Sequence, residues 1–230
     1  MLMEANYYDI LRKFEVFSFL EGKELEKFEK NLFQRTYKKN QILFTEGDPR
    51  ERIYLLIDGF VKLEKTNIEA ETTYTDYIKP NELFPYRGMF HHDFYDFSAC
   101  AITDIVVHYI PTKIFESFVK KNNDQLYFII NQLSEILGQH EKRLQISLSN
   151  YVKDKVELGI AYLMEYFGED DGHDIKVDLP MTIKELSLML GVSRESVSAC
   201  YGDLKRENLL SEKAKRIIIH NPEYFHKKLT

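Results

Sequence analysis

The chain has no tryptophan, only two cysteines and only six prolines in 230 residues. The two cysteines, Cys100 and Cys200, lie a hundred residues apart. That spacing excludes a disulfide framework and a local metal-ligand cluster, and it fits a reducing cytoplasm. Both are expected as small core residues rather than redox thiols. No run of eighteen apolar residues occurs, so no membrane-spanning helix is expected. The opening stretch MLMEANYYDILRKFEVF lacks the apolar core of a secretory signal, and a cytoplasmic location follows as the expectation.

What is present is a chain 44% hydrophobic and long enough for one large or two modest cores. The net charge is −6, which by itself argues against a polyanionic partner. Its distribution argues the other way. Residues 182–230 hold nine Lys/Arg against six Asp/Glu, so a basic end follows an acidic body.

Residues 4–34 have helical spacing in two pieces with Gly22 between them, and Leu25, Phe28 and Leu32 lie on one face. From Thr36 to about Pro111 the pattern shortens to QILFTEG, RIYLLIDGFVKLEK, TTYTDYI and FSACAITDIVVHYI. These runs are broken by turn signals such as Asp58-Gly59. They predict short antiparallel strands in a sandwich or roll. Thr112 is expected to cap the helix that follows. A long helix is expected over about 124–150. Leu126, Ile130, Leu133, Leu137, His140 and Leu144 recur on it at alternating spacings of four and three. That is a heptad seam, and it predicts a parallel homodimer. Ile129, Ile136 and Ile146 form a second flank for the domain itself. His140, polar in the seam, is expected to fix register rather than to act as a pH switch. A further amphipathic helix over 153–167, a polar loop GEDDGHD and a strand-like IKVDLP complete the approach to the basic end.

There, TIKELSLMLGVSRESVSACYGDLKRE reads as two helices joined at Leu190-Gly191-Val192. Thr182 and Glu185 make a capping box, and Gly191 allows a tight turn. Leu186, Met189 and Leu190 face inward on the first helix. Ser193 caps the second, whose buried stripe is Val197, Tyr201 and Leu204. This leaves Arg194, Glu195 and Ser198 outward at the N-terminal end, the end of a recognition helix that meets base edges. Arg can bind guanine bidentately and Glu can accept from cytosine. Thr182, Lys184, Ser193, Lys205 and Lys215 are candidates for phosphate. Residues 213–219 look like a two-stranded wing over Ile217 and Ile219. The pattern implies double-stranded DNA as partner, a palindromic operator, and no catalytic or metal residues.

The chain as a whole resembles transcription regulators of the CRP/FNR family. Ser193-Arg194-Glu195-Ser196-Val197-Ser198 is close to the family signature SRETVSR. YKKNQILFTEGDPRERIYLLIDGFVKL is similar to its β-roll core, with Asn40 in place of a usual Gly. The resemblance implies an α+β fold in three parts. These are a cyclic-nucleotide-binding-like β-roll (double-stranded β-helix) over 1–122, a dimerisation helix over 123–151 and a winged helix-turn-helix over 152–230. An activator that contacts RNA polymerase is expected. The signature breaks at Ala199, where the family usually has Arg, so an altered half-site is expected. Asn81 and Phe97 replace the Gly and Arg expected around a cyclic-nucleotide phosphate, which argues against cyclic AMP. Two distant cysteines cannot hold an iron–sulfur cluster. The aromatic stretch from Leu83 to Phe90 resembles the branch that controls arginine deiminase operons. The alternative is a metal-dependent cupin-like enzyme. It has only the adjacent pair His91-His92, expected on opposite faces of a strand, and the lone His108 to offer a metal.

Overall fold

The computed structural model describes residues 7–18, 22–67 and 73–229. The parts of the expected helices and strands at 4–6, 19–21 and Thr72, and the side chain of Leu25, lie outside the described residues. Two compact units divide within the long helix, Met1–Glu135 and Ile136–Thr230.

The first unit begins with α1 (Tyr7–Leu11), a single 3-10 turn at Glu15–Phe17 and α2 (Gly22–Glu29). Gly22 does not separate two helices; it opens the second with φ +55°. Eight strands follow: β1 (Phe33–Tyr37), β2 (Ile42–Phe44), β3 (Arg52–Asp58), β4 (Val61–Thr66), β5 (Thr73–Ile78), β6 (Leu83–Phe84), β7 (Ser98–Ala101) and β8 (Ile105–Pro111). They form two antiparallel sheets, ordered β1-β8-β3-β6 and β2-β7-β4-β5. The residues expected as a helix end at 33–34 instead open β1, where Phe33 pairs with Tyr109.

The continuous apolar run of β3 has a physical reason. Tyr54 and Leu56 face the other sheet, in a core with Phe44, Val61, Ala99 and Val107. Ile53 and Leu55 face the helices, in a second core with Leu11, Phe17, Phe28 and Phe115. A strand covered on both sides cannot alternate with polar residues. Gly59 after β3 is required twice over. Its φ is +82°, and a Cβ there would meet the Asp104 carbonyl oxygen at 2.3 Å. Asn40 sits at φ +69°, a left-handed turn that Asn tolerates better than most residues.

α3 (Thr112–Val119) starts where expected, but Thr112 is not its cap. It is the first helical residue, and its hydroxyl has no hydrogen-bond partner among the described residues. The extended Pro111 occupies the cap position. α4 spans Asn123–Leu148. Ile129 and Ile146 are buried, whereas Leu126, Ile130, Leu133, Leu137 and Leu144 are 37%, 52%, 42%, 58% and 59% exposed.

The second unit packs α5 (Val152–Phe167), α6 (Ile183–Leu190), α7 (Arg194–Arg206) and α8 (Pro222–Leu229) with a four-stranded sheet. That sheet is ordered β11-β12-β10-β9, from β9 (Gly168–Asp170), β10 (Ile175–Val177), β11 (Leu210–Lys213) and β12 (Arg216–Ile219). The stretch expected as a wholly polar loop therefore contributes β9, which forms because Asp170 and Glu169 find partners in Ile175 and Lys176. Buried Glu157 on α5 holds α8 by a 2.7 Å bond from the Tyr224 hydroxyl and a 2.6 Å ion pair with Lys228.

Candidate nucleic-acid interface

Local sequence sets the helix pair. Thr182 caps α6. Its hydroxyl accepts the Glu185 N–H at 3.2 Å and donates to the Glu185 carboxylate at 2.6 Å, and its own N–H donates to the same carboxylate at 2.7 Å. This reciprocal box is worth on the order of 1 kcal/mol. Gly191 ends α6 in the left-handed region at φ +63°, and the Val192 N–H donates to the Ser187 carbonyl at 3.2 Å. The inward residues are Leu186 and Leu190 on α6, with Met189 half-buried, and Val197, Tyr201 and Leu204 on α7.

The opposite face of α7 is open. Ser193, Arg194, Glu195, Ser198 and Ala199 are all exposed. The Ser193 hydroxyl accepts the Ser196 N–H at 3.1 Å and donates to the Ser196 hydroxyl at 2.9 Å. Helix geometry leaves the amides of Arg194 and Glu195, in the first turn, without an intrahelical acceptor. They form a positive end suited to an anion.

The wing is a tight hairpin. Ala214 and Lys215 both have positive φ, +52° and +64°, the combination of a two-residue turn whose twist matches paired strands. Ile217 and Ile219 are buried beneath it. The Lys215 carbonyl accepts the Met181 N–H at 2.9 Å, joining the wing tip to the start of the helix pair. Arg216 reinforces that link through the Asp178 carbonyl at 3.0 Å.

The candidate phosphate ligands separate by what their groups already do. Lys184 and Lys215 are exposed cations on α6 and the wing tip. Lys205 leans toward Glu212 at 3.9 Å and over the Tyr201 ring at 5.6 Å. The donors of Thr182 are spent on Glu185 and the Ser193 hydroxyl proton on Ser196, so neither is a ready side-chain donor. The wing contact of Arg216 was not legible beforehand, because its partner Asp178 is distant in sequence and nothing local signals the pairing.

Elsewhere, Cys100 and Cys200 are half-buried rather than core residues, and burial pushes both thiols above their usual pKa. His91 and His92 lie in a turn rather than on a strand, with ring centres 4.8 Å apart. His108 is buried on β8. No described helix is long and apolar enough to cross a membrane.

A β-roll, a long helix and a winged helix-turn-helix whose recognition helix presents its first turn outward define a DNA-binding regulator. Residues 34–122 match the cyclic nucleotide-binding domain and residues 160–227 the Crp-like helix-turn-helix domain. The HTH-type transcriptional regulator ArcR of Staphylococcus epidermidis is 29% identical over 192 residues, covering 84% of each chain. The global nitrogen regulator of a Nostoc species is 24% identical over 197 residues, covering 85% of this chain and 88% of its own. Among solved structures, FixK2 from Bradyrhizobium japonicum superposes with a TM-score of 0.73 at 18% identity, over 85% of this chain and 96% of its own. A CooA mutant from Carboxydothermus hydrogenoformans gives 0.72 at 18% identity, over 94% of both chains. The chain belongs to the CRP/FNR family of transcription regulators, which are not enzymes.

Proposed function

We propose that the protein works as a homodimer on a palindromic operator, each copy reading one half-site with Arg194, Glu195 and Ser198. The exposed row on α4 is the observation that carries this reading. Leu126, Ile130, Leu133, Leu137 and Leu144 would join across a two-fold axis with His140 among them, while Ile129 and Ile146 are already buried within the single chain. Apolar side chains at heptad spacing, left in water along one face of a 26-residue helix, are what a parallel helix pair buries. A dimer places two recognition helices on half-sites about one DNA turn apart. Lys184 and Lys215, with the first-turn amides of α7, would hold phosphate. Ala199 offers a thymine methyl an apolar contact but cannot pair with guanine.

The roll is read as unsuited to cyclic AMP. Phe97 packs in its apolar core beside Phe44, with ring centres 6.4 Å apart. The Ser98 hydroxyl accepts the Glu46 N–H at 3.0 Å, and Arg87 pairs with Asp96 at 3.4 Å. Among the described residues no unpaired cation is seen beside Phe97 and Ser98 for a phosphate, whose burial unpaired would be costly. The likeness to ArcR supports a role in arginine metabolism, and we read the protein as an activator that contacts RNA polymerase. Selecting bound DNA from a random pool, with and without arginine and cyclic AMP, tests the reading. An inverted repeat should emerge that cyclic AMP does not alter. Recovery of single, unrepeated sites would overturn the dimeric reading.

A further inference from the structure

One end of the inner face of the β1-β8-β3 sheet carries positive charge with no carboxylate paired to it among the described residues. Strand alternation places Phe33, Arg35 and Tyr37 of β1, Tyr109 of β8, and Arg52 and Tyr54 of β3 on this face. The Arg35 guanidinium lies 4.9 Å from the centre of the Tyr37 ring, and that of Arg52 lies 4.8 Å from the centre of Tyr109. Arg50, Arg87, Arg206 and Arg216 each find a carboxylate. Arg35 and Arg52 have none among the described residues, in a chain with 37 Asp and Glu.

The surroundings are built rather than incidental. The Tyr95 hydroxyl accepts the Arg52 N–H at 3.2 Å and donates to the Arg52 carbonyl at 2.9 Å, which fixes the backbone beneath the guanidinium. The Tyr37 hydroxyl has no such use. Tyr37 is 5% exposed, and its buried oxygen has no hydrogen-bond partner among the described residues. It lies within electrostatic reach of Arg52 and Tyr54. Phe33 stacks on Tyr109 at 5.3 Å and is exposed, forming an apolar rim. The Arg52 guanidinium bonds the Tyr54 hydroxyl, which leaves it further N–H groups, and a guanidinium edge matches carboxylate or phosphate in pairs of hydrogen bonds. A buried hydroxyl without a partner is costly until something accepts from it.

We propose that Arg35, Arg52 and Tyr37 form a binding site for a small dianion, either a phosphate group or a dicarboxylate. Each arginine supplies one positive charge, the Tyr37 hydroxyl donates a further hydrogen bond, and Phe33 covers the ligand's edge. The site uses neither the Asn81–Leu83 turn nor Phe97 and Ser98, so it is separate from the place where a cyclic nucleotide would be sought. It also stands independently of the operator reading.

The test is isothermal titration of the full chain with inorganic phosphate and, separately, with succinate, at ionic strength matched with sodium chloride. Saturable binding of one anion per chain is expected for at least one probe, and which probe binds identifies the ligand's group. Arg35→Gln and Arg52→Gln should each weaken it about tenfold or more, and Tyr37→Phe by about two- to tenfold. Tyr37→Phe should leave the melting temperature of the free protein undiminished, because the hydroxyl it removes has no hydrogen-bond partner among the described residues. If Arg52→Gln fails to fold, the exposed Arg35 decides the matter, and Arg52→Lys, which retains the charge but not the fork, gives a second reading. No saturable binding of either anion at millimolar concentration would overturn the proposal. So would undiminished binding in the Arg35→Gln/Arg52→Gln double variant.

Discussion

Leu137→Ala is the sharpest probe of the α4 seam. Leu137 is 58% exposed in the single chain, so more than half of its side chain remains to be covered by a partner helix. Full burial of a leucine side chain is worth about 1.5–3 kcal/mol. The uncovered fraction therefore corresponds to about 1–1.5 kcal/mol per copy, or about 2–3 kcal/mol for the two copies in a dimer. The dimer dissociation constant should rise about 30- to 150-fold, as measured by sedimentation equilibrium. The melting temperature of the dissociated chain should hardly change, because the side chain has little to lose within one copy. Ile129→Ala should behave oppositely. That side chain is buried in its own core, and its truncation should cost about 2–5 kcal/mol of folding stability. If Leu137→Ala leaves the self-association constant unchanged, or if the wild-type chain is monomeric at micromolar concentration, the exposed row has another purpose and the dimeric reading fails.

Glu195→Ala should relax base choice at one position of the half-site by about 1–3 kcal/mol; equal weakening on every sequence in a competition assay would contradict a base-reading role. Gly191→Ala should cost on the order of 1–2 kcal/mol of stability, because φ is +63° there and an L side chain is strained in the left-handed region; unchanged thermal unfolding would refute this. Burial pushes the Glu82 carboxyl from 4.5 up to about 7, so folding favours its protonated form. Its contribution to stability is present below about pH 4.5 and is lost as pH rises through about 7. Glu82→Gln should flatten that part of the stability–pH curve in denaturant titrations, and an unaltered slope between pH 5 and 7 would refute the assignment.

Much of the interface was legible because its rules are local. A capping box spans four residues, a left-handed turn is marked by Gly191, and the stripe Val197, Tyr201 and Leu204 follows from helical pitch. The β-roll strands with apolar runs were legible for a similar reason. β1 was not. Its first four residues, Phe33 to Thr36, are all exposed, so no alternation marks it, and it exists through its pairing with β8. β9 is acidic and three residues long, and only β10 beside it makes it a strand. Thr112 had the chemistry of a cap, but it enters the helix one residue too late to serve as one.

The sequence by itself determined which residues turn inward and where the chain must turn, because helical pitch, strand alternation and left-handed φ are properties of a few neighbouring residues. It therefore carried the outward set Arg194, Glu195 and Ser198 and the heptad row on α4. Tertiary structure decided which polar groups were already spent. The Thr182 donors go to Glu185, Lys205 leans toward Glu212, and Arg216 is committed to Asp178. Among the described residues it also left some without a match, the Thr112 and Tyr37 hydroxyls with no hydrogen-bond partner and Arg35 and Arg52 with no carboxylate. Pairing of this kind depends on which distant strands and helices meet, and hydrogen bonds and charges have no period along the chain from which to read it.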